Sequence, residues 1–282
     1  MKATIIGFRG MLGLDLVTAC EKAGYECAVF DLPEMDIANY ESVATQIPET
    51  DVVINCAAYT RVDDAETHPA EAFAVNAEGA RNVARAARRR EARLIHISTD
   101  YIFDGTKSKP YTERDTPCPL NLYGASKLAG EKAVRAEGGR FLLVRTQSLY
   151  GVNGRNFVKS IVQKLKNDEG PIRVVSDQVS APTYTVHLAD AVIRLLKIKK
   201  NGIVHVAASH ECSWFDFALA IVARIKPGVR IEPILASQLA LPAIRPAYSV
   251  LDKRRYTTWT KHVMPSWEEG LVEYLKAEGL VK

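Results

Sequence analysis

Short apolar runs alternate with amphipathic stretches through the first half of the chain. Each run has the length of a strand, and the stretches between the runs repeat apolar residues at helical spacing. This alternation is typical of a parallel sheet that carries helices on both faces. The pattern therefore predicts a doubly wound α/β fold. The predicted strands are residues 2–6, 26–30, 52–56, 94–97 and 141–144, and the predicted helices are residues 11–23, 40–46, 68–90 and 123–137.

The alternation becomes less regular after Arg145. Clusters of proline and glycine at 170–171, 227–228 and 242–246 interrupt this part of the chain and mark loops. We therefore expect a smaller C-terminal lobe. The predicted elements here are helices at 157–166, 186–196, 215–225 and 267–277 and a strand at 203–207.

Composition and charge exclude several classes of protein. The chain has 282 residues, of which 47% are hydrophobic and 25% are charged, as in ordinary folded enzymes. Five scattered cysteines without a C-x-x-C pair argue for a reducing compartment and against a zinc site. No apolar segment approaches about 18 residues, so we predict no membrane partner and a cytoplasmic location.

The basic residues do not indicate a nucleic-acid partner. The formal net charge is only +4. Arginines cluster between residues 81 and 93, but they fall mostly on the polar side of a predicted helix. A solvated helix face is therefore favoured over a nucleic-acid contact.

A glycine-rich loop follows the first predicted strand and opens the first helix. Gly7, Gly10 and Gly13 are spaced G-x-x-G-x-x-G. Such a loop lets the backbone turn tightly and places a pyrophosphate at the positive N-terminus of the helix. Asp31 ends the second strand, where an acid binds an adenosine ribose hydroxyl. Its carboxylate favours NADH, whereas Arg9 in the loop would admit NADPH, so both cofactors stay open.

The position of this loop assigns the first part of the chain to nucleotide binding. We predict a Rossmann-like dinucleotide-binding domain at residues 1–150, with a returning segment at 185–208. Residues 151–184 and 209–282 are expected to form the substrate-binding lobe.

Tyr123 and Lys127 form a Y-x-x-x-K pair on a predicted helix. Residues four apart share a helix face, so the ammonium is expected beside the phenol. A cation about 5 Å away would lower the pKa of the phenol by about two units and make it a usable proton donor. Thr99 follows a strand, at the sheet edge where α/β folds bind ligands, and its hydroxyl is placed to hydrogen-bond a substrate carbonyl.

Collinear segments along nearly the whole chain resemble the extended short-chain dehydrogenase/reductases, and among them the dTDP-4-dehydrorhamnose reductases. The strongest matches lie in the segments that carry the cofactor loop and the tyrosine–lysine pair. They are Gly7-x-x-Gly10-x-x-Gly13, Asn55-Cys56-Ala57-Ala58-Tyr59-Thr60, Ser98-Thr99-Asp100-Tyr101-Ile102-Phe103-Asp104-Gly105 and Tyr123-Gly124-x-x-Lys127-Leu128-x-Gly130-Glu131.

The resemblance implies hydride transfer from NADPH or NADH to the C4 carbonyl of dTDP-4-dehydro-L-rhamnose. In this reading Tyr123 donates the proton, Lys127 holds the nicotinamide ribose and lowers the pKa of Tyr123, and Thr99 positions the carbonyl. The implied cofactor contacts are Gly10, Met11 and Leu12 at the pyrophosphate, Asp31 at the adenosine ribose, Asp36 and Ile37 at the adenine, and Ala57, Ala58 and Thr60 at the central part. The implied substrate contacts are Thr99, Asp100, Ser148, Asn156 and Arg245.

Three departures from the family pattern lie on the substrate side. The chain has Ser148 where these reductases commonly carry tryptophan, Ser180 in place of glycine and Tyr248 in place of asparagine. Some members of the family bridge two subunits with magnesium. Asp15 matches one ligand position but Ala277 occupies another, so we predict no metal site and leave a homodimer open.

Two other functions remain. One is a reductase or epimerase of another nucleotide-linked keto sugar, which the departures at Ser148 and Tyr248 favour. The other is a regulatory subunit that binds a dinucleotide without catalysis. The intact set of Thr99, Tyr123 and Lys127 argues against the regulatory subunit.

Overall fold

A computed structural model describes residues 1–167 and 170–282 of the chain. The longer helices and strands form where the apolar spacing predicts them. The strands are β1 (Lys2–Ile6), β2 (Glu26–Phe30), β3 (Val52–Asn55), β4 (Arg93–Thr99), β5 (Phe141–Thr146), β6 (Leu149–Tyr150), β7 (Ile172–Val175), β8 (Val179–Ser180), β9 (Thr183–Tyr184), β10 (Gly202–His205), β11 (Cys212–Ser213) and β12 (Ile231–Ile234). The α-helices are α1 (Met11–Lys22), α2 (Tyr40–Gln46), α3 (Pro69–Phe73), α4 (Ala80–Arg89), α5 (Leu122–Glu137), α6 (Phe157–Lys166), α7 (Thr185–Leu196), α8 (Trp214–Ile225), α9 (Arg254–Thr260) and α10 (Trp267–Ala277).

Six strands form one parallel sheet in the order β2-β1-β3-β4-β5-β10. The chain leaves β1 toward β2 on one side and returns to β3 on the other side. Parallel sheets bind ligands outside the carboxyl ends of their strands, at the point where the order reverses. The crevice beyond β1 and β3 is therefore the expected ligand site.

Helices cover both faces of the sheet, which confirms the doubly wound α/β prediction. On one face, Leu16 of α1 and Leu188 of α7 pack with Ile5 of β1 in a buried cluster. On the other face, Val83 of α4 and Val134 of α5 pack in a second cluster with Ile6, Val53 and Leu143.

A third buried cluster lies in the C-terminal part of the chain. Side chains from α6, α8 and α10 form it together with strands β7 and β12. Its centre is aromatic: the Tyr150 ring lies 5.3 Å from the ring of Phe217 and 5.5 Å from that of Tyr274, and Phe217 lies 5.7 Å from Trp267. Phe217 and Trp267 therefore serve to pack the core of the C-terminal part.

The predicted helix at 68–90 is continuous but not uniformly α-helical. A π-helical segment, Ala74–Gly79, separates α3 from α4. Within it, Asn76 uses its side chain to bind Tyr59 and Ser126. Wide turns of this kind often occur at functional sites.

The sequence pattern missed the short strands β6, β7, β8, β9, β11 and β12 and helix α9. These strands have only two to four residues, too few for an alternation to show. None of the helices described for residues 1–167 and 170–282 is both long enough and apolar enough to cross a membrane.

Candidate active site

Backbone from two loops forms the floor of the crevice. Gly7 directly follows β1 and has a φ of +83°, a conformation that L side chains rarely adopt. A Cβ at Gly7 would lie 2.5 Å from the amide nitrogen of Ala57, so the loops after β1 and β3 touch through their main chains. A Cβ at Gly13 would lie 2.2 Å from the carbonyl oxygen of Gly7. Both glycines are thus required by close packing, as their spacing predicts.

Gly10 is the N-cap of α1, and its neighbours Met11 and Leu12 form the first turn of this 12-residue helix. Gly10 is exposed, Met11 is half-buried and Leu12 is buried. Unpaired N–H groups at such a helix end favour an anion. This arrangement fits the pyrophosphate of a dinucleotide.

The rim of the crevice carries a set of charges beyond β2. The Asp31 carboxylate accepts hydrogen bonds from the backbone of Arg9 at 2.9 Å and of Leu32 at 2.8 Å. The Arg9 guanidinium is paired with Glu34, with distances of 2.7 and 2.9 Å. The positive charge of Arg9 is therefore paired with the carboxylate of Glu34 on the rim.

The remaining predicted cofactor residues surround the same crevice. Asp36 is exposed, whereas Ile37 is buried and its side chain packs against Gly79. Only the backbone of Ile37 is therefore available to an adenine. Ala57 and Ala58 are half-buried, and Thr60 is exposed beyond them.

Close packing of α5 brings Tyr123 and Lys127 to the end of β4. A Cβ at Gly124 would lie 2.1 Å from the Tyr101 carbonyl, and one at Gly130 would lie 2.1 Å from the Asn76 carbonyl. The helix begins at an N-cap, Asn121, whose side chain accepts from the Gly124 amide at 2.7 Å.

Tyr123 then lies beside the turn that follows Thr99. Its ring meets that of Tyr101 edge-on, with 5.8 Å between the ring centroids. An interaction with the Thr99 hydroxyl contributes to the pKa of Tyr123. The structure therefore brings together Thr99, Tyr123 and Lys127, which are far apart in sequence.

The electrostatics of this group differ from the expectation that Lys127 lowers the pKa of Tyr123. Burial raises the pKa of Tyr123 to about 12, and the nearby Thr99 hydroxyl opposes this only in part. The Lys127 ammonium is buried and donates to the Ile97 carbonyl at 2.7 Å. Burial also lowers the pKa of Lys127 to about 8. The prediction was wrong because the spacing shows that the two side chains share a helix face but not that both are desolvated.

The predicted substrate residues lie in three different settings. Ser148 has a φ of +46°, and its hydroxyl lies 2.9 Å from that of Ser180. Asn156 caps α6: its amide accepts from Lys159 at 3.0 Å and donates to Gly151 at 2.7 Å. Its polar atoms are thus already used in holding the chain.

Arg245 is also paired within the chain. Its guanidinium makes two hydrogen bonds to Asp63, at 2.9 and 2.7 Å. Asp63 directly precedes the short 3-10 turn Asp64–Glu66, but its side chain makes no capping bond there and binds Arg245 instead. This ion pair ties the loop after β3 to the segment that follows Pro242.

Sequence reasoning also missed a buried network under the tyrosine–lysine pair. Glu131, one turn beyond Lys127, accepts hydrogen bonds from Ser98 and Arg145. All three side chains are buried. Glu131 is the last residue of the motif Y-G-x-x-K-x-x-G-E, and its presence in this motif was the sequence feature that could have pointed to the network. In the described parts of the chain, no group of three or more histidine, cysteine, aspartate and glutamate side chains is arranged to hold a metal ion.

The crevice and its tyrosine–lysine pair define a short-chain dehydrogenase/reductase of the extended type. A family model described as "RmlD substrate binding domain" matches residues 1–279, and the chain belongs to this family.

Named relatives match nearly the full length of the chain. It is 38% identical to the spore coat polysaccharide biosynthesis protein SpsK of Bacillus subtilis, over 98% of this chain and 97% of that protein. It is 37% identical to the dTDP-4-dehydrorhamnose reductase of Burkholderia thailandensis, over 95% of each. The crystal structure of dTDP-4-dehydrorhamnose reductase from Bacillus anthracis in complex with NADP has a TM-score of 0.94 and 37% identity, covering 98% of this chain and 99% of that one.

Proposed function

We propose that the chain reduces the C4 carbonyl of dTDP-4-dehydro-L-rhamnose to give dTDP-L-rhamnose. The observation that carries this proposal is the convergence of Thr99, Tyr123 and Lys127 beside a backbone-lined crevice at the carboxyl edge of the sheet. The family relatives with this reductase name support the choice of substrate.

The crevice fits a dinucleotide cofactor. The contact of Gly7 with Ala57 leaves main chain rather than side chains at its floor, and the N-terminus of α1 opens onto it. We propose that NADPH or NADH binds here, through Gly7, Gly10, Met11, Leu12, Gly13, Asp31, Asp36, Ile37, Ala57, Ala58 and Thr60. A bound reduced nicotinamide supplies the hydride.

The chain's own residues supply orientation and the proton. Thr99 hydrogen-bonds the substrate carbonyl, and Tyr123 donates a proton to the same oxygen. A phenol whose pKa is raised to about 12 keeps its proton until negative charge develops on that oxygen. Lys127, held by Ile97, places a positive charge under this group and contacts the cofactor ribose.

In this proposal the substrate lies in the part of the crevice beyond the carboxyl ends of β4 and β5. Asp100, Ser148, Asn156 and Arg245 are the residues that we propose to contact it. Asp63 holds the Arg245 guanidinium in place through two hydrogen bonds. The diphosphate of the substrate therefore either binds to other N–H groups of this guanidinium or displaces Asp63.

The proposal extends to the organisation of the chain. Residues 1–150 and 185–208 form the dinucleotide-binding part, and 151–184 with 209–282 form the substrate-binding lobe. A cytoplasmic location, a homodimer and the lack of a bound metal stay predictions.

A reductase or epimerase of another nucleotide-linked keto sugar is the second candidate. The observation that favours it is the Ser148–Ser180 hydroxyl pair, which gives a polar lining where the family commonly has an aromatic side chain. An epimerase retains NAD through purification, whereas a reductase exchanges it, so the nucleotide content of the purified protein separates the two.

The decisive experiment follows the loss of NADPH or NADH absorbance with dTDP-4-dehydro-L-rhamnose. We expect oxidation by the wild type and a loss of about 10²–10⁴ in kcat for Tyr123→Phe, with cofactor affinity unchanged. Tyr40→Phe is the control, because Tyr40 is a phenol on α2 that pairs with Arg89 outside the crevice. Turnover that is retained in Tyr123→Phe would show that Tyr123 is not the proton donor. If the wild type binds the cofactor but does not turn over this substrate, the enzyme acts on another sugar.

A further inference from the structure

The loop between β6 and α6, residues 151–156, lies against the start of the helix that follows the glycine loop. Its contacts converge on Met11, the first residue of α1. A Cβ at Gly154 would lie 3.7 Å from the Cβ of Met11. The Asn156 side-chain nitrogen lies 3.9 Å from the sulfur of Met11. The residues on both sides of Arg155 therefore contact the first turn of α1.

This loop has a fixed shape. The Asn156 side chain donates to the Gly151 carbonyl at 2.7 Å and so closes the loop on itself. At its end, Phe157 packs on the buried cluster of the C-terminal part. Gly154 turns the chain with a φ of +80°, a conformation that L side chains rarely adopt. The fold itself therefore places Arg155 beside α1.

Arg155 is an exposed cation without a partner. Its guanidinium makes no hydrogen bond or ion pair with any residue in the described parts of the chain. Lys159, a second cation that contacts this loop, pairs with Glu278 at 3.3 Å and donates to the Val152 carbonyl. An unpaired arginine is ordinary on a protein surface, so the location of Arg155 decides what it can do.

The N-terminus of α1 has no counter-charge from its own helix. Gly10 offers no side-chain cap, and the first turn contains no acid. The unpaired N–H groups and the helix dipole give this end a positive charge. Positive groups held close together disfavour an empty site and favour a bound anion. The pyrophosphate that the proposed function assigns to this helix end is such an anion.

We propose that Arg155 binds the pyrophosphate of the cofactor. The glycine loop and α1 then hold this group from the first part of the chain, and an arginine holds it from the C-terminal part. A guanidinium suits the role because it presents several N–H donors in one plane to phosphate oxygens. This inference rests on the proposed function, because it takes the dinucleotide to bind at the N-terminus of α1.

The first test measures cofactor binding in the absence of sugar, by isothermal titration calorimetry. Arg155→Gln should raise the dissociation constants for NADPH and for NADH about five- to twenty-fold each, because one charge-assisted hydrogen bond is lost. Arg155→Lys should recover part of this loss, since it restores the charge but not the planar donor group. Unchanged dissociation constants in Arg155→Gln would overturn the proposal.

The second test identifies the group that Arg155 contacts. ADP-ribose carries the pyrophosphate, so Arg155→Gln should weaken its binding as much as that of NADH. Adenosine lacks the pyrophosphate and should bind the variant and the wild type equally. A loss confined to NADPH would show that Arg155 contacts the 2′-phosphate and would refute the proposal. A higher KM for the keto sugar with unchanged cofactor binding would make Arg155 a substrate ligand and would also refute it.

Two controls keep these outcomes apart. Arg224→Gln changes an exposed arginine in the last turn of α8, also in the C-terminal part, and its dissociation constants should equal those of the wild type. Thermal melting should show that both variants are folded, since both side chains are exposed. If the wild type binds neither NADPH nor NADH, the proposed function and this inference both fail. If the wild type and Arg155→Gln bind both cofactors equally well, only this inference fails.

Discussion

The Glu131 carboxylate and the Arg145 guanidinium form a fully buried ion pair, with Oε1 2.8 Å from Nε and Oε2 2.7 Å from Nη2. The pair joins α5 to β5, and the hydrogen bond from Ser98 to Glu131, 2.7 Å long, adds β4. It therefore fixes the helix that carries Tyr123 and Lys127 against the strand that carries Thr99.

Removing the charge of Glu131 should destabilise the fold strongly. Glu131→Gln leaves the buried guanidinium without its counter-charge, and we expect a loss of about 3–5 kcal/mol in the free energy of unfolding, measured in urea. Arg135→Ala is the control: Arg135 lies 3.7 Å from the same carboxylate but is 46% exposed, so its loss should be below about 1 kcal/mol. Equal losses in the two variants would contradict this account.

Lys127 should lower stability in a pH-dependent way. Burial lowers its pKa from 10.5 to about 8 in the folded protein, so the unfolded chain binds more protons between these values and stability rises there. Lys127→Met should therefore add about 1–3 kcal/mol to the free energy of unfolding near pH 6.5, with a smaller gain near pH 9.5. Urea titrations at both pH values measure this, and a gain that grows with pH would have the wrong sign.

The contact of α5 with the π-helical segment should not tolerate a methyl group. Gly130→Ala places a Cβ 2.1 Å from the Asn76 carbonyl, and we expect a cost of about 1–3 kcal/mol from the forced displacement. Activity should fall as well, because α5 carries Tyr123. Gly170→Ala is the matched control, since nothing lies within 4 Å of its added Cβ. Unfolding curves of the two variants that coincide would rule out the tight contact.

Cofactor preference should respond to the partner of Arg9. Glu34→Gln removes the charge that pairs with Arg9 and leaves the guanidinium available to a 2′-phosphate. We expect the ratio of kcat/KM for NADPH over NADH to rise about two- to five-fold, the range for an exposed pair. Glu41→Gln, an exposed acid on α2, should leave the ratio unchanged. A ratio that stays constant in Glu34→Gln would show that Arg9 does not meet the phosphate.

Local patterns in the sequence were sufficient to predict the sheet, the helices that cover it and the glycine loop. Each of these depends on residues close together in the chain, such as Gly7 and Gly13. The π-helical turn at Asn76 was not visible, because it accompanies the close approach of a helix about 50 residues away.

The same distinction holds within the site. Thr99, Tyr123 and Lys127 could be proposed from the sequence because each lies at a strand end or on a helix face that the pattern shows. The pairing of Arg245 with Asp63 joins residues 182 positions apart, and no spacing rule connects them. The raised pKa of Tyr123 depends on burial by several elements, which a pair of residues on one helix does not reveal.

The contact between Gly7 and Ala57 also limits how cofactor recognition can change by mutation. A surface made of main chain offers the same amide groups whatever residues are substituted around it, and side chains larger than hydrogen are excluded at Gly7. Mutations that change the preference for one dinucleotide over another are therefore expected at the edge of the crevice. There Arg9 donates hydrogen bonds to Asp31 through its backbone and to Glu34 through its side chain. If the cofactor binds as proposed, its common part meets main chain that substitutions do not alter, and its distinguishing phosphate meets side chains that they can replace.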